Sequence, residues 1–133
     1  MTHDEIVALV EAFEAGTLPL LEWTHAAHLT VAVWYLMRDG AELGGERMRA
    51  GILRYNAAQG IVPRPDGGYH ETLTRFYLWA VGEYLRGAVV ELANGCVAGL
   101  GDRDIPLRYY SRERLMSPEA RRQWVEPDLR PLR

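Results

Sequence analysis

Trp23-Thr24-His25-Ala26-Ala27-His28-Leu29-Thr30-Val31-Ala32-Val33-Trp34-Tyr35-Leu36-Met37-Arg38-Asp39-Gly40 is the stretch on which the fold turns. Thr24 is an N-cap residue, because its hydroxyl can accept from a backbone N–H of the first turn. Leu29, Ala32, Val33 and Leu36 then recur at helical spacing, and Val31, Trp34 and Tyr35 extend the apolar surface most of the way round. A helix apolar on nearly all sides belongs at the centre of a domain. Asp39-Gly40 stops it after about Arg38.

The same signals recur on either side. Thr2-His3-Asp4-Glu5 has the form of a capping box, followed by an apolar stripe of Ile6, Val7, Leu9, Val10 and Phe13 that Gly16 ends. A third helix is expected from Gly44 to Ala58, with Met48, Ile52 and Tyr55 inward and Gly60 beyond it. Residues 61–68 hold two prolines and a Gly-Gly pair, so they read as a loop. A fourth helix is expected from Tyr69 to Arg86, with Leu73, Phe76, Tyr77, Ala80, Val81 and Tyr84 on its apolar side. Ala88 to Val97 reads as a short helix, and Leu107 to Tyr110 as one helical turn. Ser117-Pro118 opens a last helix with serine at the cap and proline at the first position. No alternating strand pattern stands out. The expectation is a compact all-α single domain over residues 1–133: four main helices, short C-terminal helices and a tail from about Asp128 to Arg133.

Composition narrows the chemistry. With 133 residues, 48% of them apolar and a net charge of −3, the chain has the make-up of an ordinary globular domain. All 15 basic residues are arginine, which removes Schiff-base lysine chemistry and the phosphate-binding lysine loop. Residues 101–133 carry eight arginines against six acids, too small an excess for a nucleic-acid surface. Cys96 is the single cysteine, so an internal disulfide and a thiolate zinc cluster are both excluded. No Gly-x-Ser-x-Gly or Gly-x-Gly-x-x-Gly string occurs. No apolar stretch is long enough for a bilayer and no leader pattern opens the chain, so a cytoplasmic protein with no membrane partner is expected. Self-association is left open.

Three of the four histidines fall in two strings at helix starts, Trp23-Thr24-His25-Ala26-Ala27-His28-Leu29 and Gly68-Tyr69-His70-Glu71-Thr72-Leu73-Thr74. Residues three apart on a helix share a face, with Cβ atoms about 5–6 Å apart, so His25 and His28 can converge on one ion or one small substrate. His70 is the candidate third ligand from a second helix. Glu71 is a candidate general base or fourth ligand, and Asn56 a candidate hydrogen-bonding group for substrate. Three nitrogen ligands with an open position suit water activation by a divalent transition metal, with zinc, iron or copper as the leading candidates.

These strings, with Arg54-Tyr55-Asn56 and the segment Tyr109-Tyr110-Ser111-Arg112-Glu113-Arg114-Leu115-Met116-Ser117-Pro118-Glu119-Ala120-Arg121, resemble those of a group of small bacterial proteins to which no activity is attached. The resemblance runs from about Leu21 to Leu129. It implies the choice of site residues and no reaction. The reading from sequence is a small-molecule enzyme with a divalent-metal site at His25, His28 and His70 and with Glu71 and Asn56 as catalytic groups. Its alternatives are a metal-free acid–base enzyme and a non-catalytic binding or assembly protein.

Overall fold

A computed structural model of the chain describes residues 1–87 and 103–132. The expected helix at Ala88–Val97 and Cys96 lie outside the described residues. Within them the architecture is all-α: α1 (His3–Ala15), α2 (His25–Asp39), α3 (Ala41–Ala58), α4 (Glu71–Gly87), α5 (Arg112–Leu115) and α6 (Pro118–Arg122). Single 3-10 turns lie at Leu20–Glu22 and Ile105–Arg108. The only bridge pairing among the described residues is Arg64 with Gly67, in the loop before α4. None of the described helices is long and apolar enough to cross a membrane.

The caps form as their residue types dictate. Thr2 and Glu5 make both halves of the capping box, and Gly16 closes α1 in the left-handed region at φ 74°. Thr24 Oγ1 accepts from Ala27 N–H at 3.1 Å and starts α2. Ser117 caps α6 with Pro118 behind it. One boundary differs from expectation. α3 begins at Ala41, three residues early, because Gly40 serves as the end of α2 and the start of α3 at φ 86°. A one-residue joint forces the two helices together. A Cβ on Gly44 would lie 2.5 Å from the Tyr35 carbonyl oxygen, so only glycine fits at that approach.

One hydrophobic cluster draws on all six helices, from Val10 and Phe13 in α1 to Leu115 in α5 and Ala120 in α6. α2 is its axis, with Leu29, Val31, Ala32, Val33, Tyr35 and Leu36 all buried. Each such aliphatic side chain contributes about 1.5–3 kcal/mol when fully buried. Met48, Ile52 and Tyr55 of α3 point inward as the spacing predicts, as do Phe76, Ala80 and Val81 of α4, whereas Tyr84 is exposed.

Residues 105–132 do not drift free of the bundle. The Thr72 hydroxyl donates to Gln123 O at 2.7 Å and accepts from Val125 N–H at 3.2 Å. Tyr110 donates to Val125 O, and Asp128 accepts from the Ser111 backbone and hydroxyl. These bonds fix α5 and α6 against the start of α4, and that contact carries their side chains to the edge of the cleft described next.

Candidate functional site

A cleft of about 670 Å³ opens between the starts of α2 and α4, the middle of α3 and the α5–α6 connection. His25, His28, His70 and Asn56 all line it. The sequence therefore singled out residues that the fold does bring to one cavity. The volume falls within the usual range for a small-molecule site. The two histidine strings nevertheless play different parts.

His28 is held by its backbone surroundings. Its Nδ1 lies 2.7 Å from Thr24 O. A carbonyl can only accept, so Nδ1 carries the proton and Nε2 carries the lone pair. The ring stacks on Trp23 at a centroid distance of 3.7 Å, and Trp23 in turn stacks on Phe13. Burial pushes the imidazole pKa down to about 4, with His25 and Arg103 adding to the shift and the Thr24 bond opposing it. At neutral pH His28 is thus an uncharged ring of fixed tautomer. No described residue bonds to its Nε2. His25, one turn earlier on the same face, meets Tyr77 edge-on at 4.9 Å.

His70 is used up by the fold. Its Nδ1 accepts from Leu73 N–H at 3.2 Å, so the imidazole caps α4 as an asparagine would. Its Nε2 donates to Leu115 O at 2.7 Å, tying α5 to α4. Burial lowers its pKa below the ordinary histidine value, which keeps the ring neutral with both nitrogens bonded. His70 forms part of the cleft wall but has no lone pair to give. Among the described residues, no group of three histidine, cysteine or acidic side chains is placed to hold a metal ion. The three-histidine centre expected from sequence is not assembled, for this reason of hydrogen bonding.

Glu71 departs furthest from expectation. It does not line the cleft. Its buried carboxylate accepts from Arg49 Nε and Nη2 at 3.2 and 2.6 Å and from the Tyr69 hydroxyl at 2.6 Å, with Arg75 at 3.7 Å. No arginine lies between positions 64 and 75 in the sequence. The neutralising charge comes instead from α3, 22 residues earlier. Glu71 thereby holds Tyr69, which does line the cleft, and burial together with Glu71 pushes the Tyr69 hydroxyl up to about 12.

The cleft also holds two arginines that the sequence did not point to, Arg103 and Arg121. Arg121 Nη1 donates to Gly68 O at 3.2 Å. The one hint in the sequence was the arginine excess after residue 100, which carried no information about direction. No family model, no curated protein and no solved structure matches the chain.

Proposed function

We propose that the cleft is a small-molecule enzyme site in which neutral His28 acts as proton acceptor through Nε2. The observation that carries this reading is the Thr24 O···Nδ1 bond at 2.7 Å, which directs the lone pair to Nε2. A backbone carbonyl that fixes the tautomer does for His28 what a carboxylate does for other catalytic histidines. Trp23 restrains the ring from one side, so little rotational freedom is lost when substrate arrives. Asn56 and Tyr69 are the candidate substrate-holding groups, since both line the cleft.

A divalent-metal version of the same site keeps His25 and His28, which share one helix face and both line the cleft, and loses His70. A substrate screen on the wild-type chain and on His28→Gln, each dialysed against chelator, separates the readings. Turnover that survives chelation and is lost in His28→Gln, with the melting midpoint retained, supports the acid–base site. Turnover that needs an added divalent ion puts a metal on His25 and His28. Saturable binding with no turnover makes the protein a ligand-binding module and overturns the enzyme reading.

A further inference from the structure

We propose that the ligand of this cleft is a small organic anion, an apolar body with one carboxylate or phosphate group directed at Arg121 and Arg103. The inference rests on the reading of the cleft as a small-molecule site and adds the ligand's chemical class. Three observations support it. First, among the described residues the lining contains two arginines and no aspartate or glutamate. Neither arginine has an ion-pair partner among the described residues, whereas Arg49, the arginine beside the cleft wall, is paired with Glu71. Second, Arg121 Nε is buried with no hydrogen-bond partner among the described residues. A buried charged donor left unbonded is costly, and the group that satisfies a guanidinium best is a carboxylate or phosphate oxygen pair. Third, the floor is apolar: Leu29, Ala32, Met48 and Ile52 are buried, while Arg103 stands exposed at the rim. That gradient fits a ligand whose hydrocarbon part enters and whose charge stays near the mouth.

The neutrality of the histidines fits the same ligand. His28 and His70 do not add positive charge deep in the cleft, so the field that selects an anion comes from the arginines. α6 supplies Arg121 only because Thr72 and His70 anchor residues 115–125 to α4. The arginine is held in place by groups that take no part in chemistry.

The test uses four probes of one chain length: hexanoate, hexyl phosphate, hexanamide and hexylamine. Each is titrated into the full chain at neutral pH and low salt, with amide and indole NMR signals as readout. The expected result is that hexanoate or hexyl phosphate perturbs the Trp23 and His28 signals and binds at least tenfold more tightly than the amide or the amine. Arg121→Gln and Arg103→Gln should each weaken that binding severalfold, Arg121→Gln the more. Arg112→Gln, an exposed arginine outside the cleft, should leave it unchanged. Melting midpoints of the variants show whether the fold is retained. An amide that binds as well as the acid, or arginine variants that bind like wild type, overturns the anion assignment and leaves the small-molecule site standing. Silence from all four probes counts against both.

Discussion

The starts of α2 and α4 carry the same kind of string, an aromatic residue and a histidine at a helix N-terminus, yet they end in opposite states. At α2, His28 spends its N–H on Thr24 O and keeps a lone pair on Nε2. At α4, His70 accepts from Leu73 with one nitrogen and donates to Leu115 O with the other. The first partner of each lies within four residues. The second partner of His70 lies 45 residues away. A histidine at a helix start is therefore available or consumed according to whether a distant carbonyl reaches its second nitrogen. Nothing local to the string decides the matter.

That contrast can be broken by substitution. His70→Ala should cost about 2–4 kcal/mol, the sum of a lost helix cap and a buried Leu115 carbonyl left without a donor. His70→Asn should recover the cap portion, about 1 kcal/mol, since asparagine caps well but does not reach as far. Chemical denaturation of the three proteins checks both values. Equal stability of His70→Ala and wild type would remove the structural role assigned here.

Acid should sharpen the same comparison. The unfolded chain protonates His28 near 6.5 and the folded chain only near 4, so between those values the unfolded state binds more protons and stability falls as pH falls. The full loss is roughly 3 kcal/mol on passing below pH 4, complete only there. Among the described residues His25, Arg103, Trp23 and Thr24 face the ring, and His25 and Arg103 both act in the direction that disfavours its protonation. His70 adds a loss of the same sign. In His28→Gln, the acid-dependent part of the denaturation free energy should shrink and the His70 part should remain.

Glu71→Gln gives a smaller effect. The amide keeps an acceptor for Tyr69 but loses the charge that pairs Arg49, so about 2 kcal/mol is expected. That falls below the cost of breaking a fully buried pair because Arg49 is partly exposed and can rehydrate. It exceeds the loss of a simple helix-start acid, about 0.3–1 kcal/mol. Turnover should change only through the position of Tyr69, in contrast with its complete loss in His28→Gln. The smallest stability effect belongs to His28→Gln itself at neutral pH, about 1 kcal/mol, because the ring's one bond is to a carbonyl already engaged in the helix, which leaves the stack on Trp23 as the main loss.

The fold was legible because its determinants are local. Thr2 with Glu5, Thr24 before α2, Ser117 before Pro118 and the inward Met48, Ile52 and Tyr55 all act within a helix turn or two. The start of α3 was misplaced by three residues because the one-residue joint at Gly40 depends on how closely α2 and α3 approach at Gly44. The site was half legible. Residue type and spacing found His25, His28, His70 and Asn56, all of which reach the cleft. The roles of His70 and Glu71 were hidden because their partners, Leu115 and Arg49, come from other elements. Arg121 was hidden for the same reason, since its place at the cleft is set by bonds between residues 110–125 and α4.

The most direct measurement is the tautomer of each imidazole, read from long-range proton–nitrogen correlations of the ring nitrogens at neutral pH and followed into acid. The tautomers should be opposite: the proton on Nδ1 in His28 and on Nε2 in His70, with His28 resisting protonation until about pH 4. Finding the proton on Nε2 of His28, or an ordinary histidine titration there, would contradict the claim that this ring offers a fixed, neutral acceptor to the cleft.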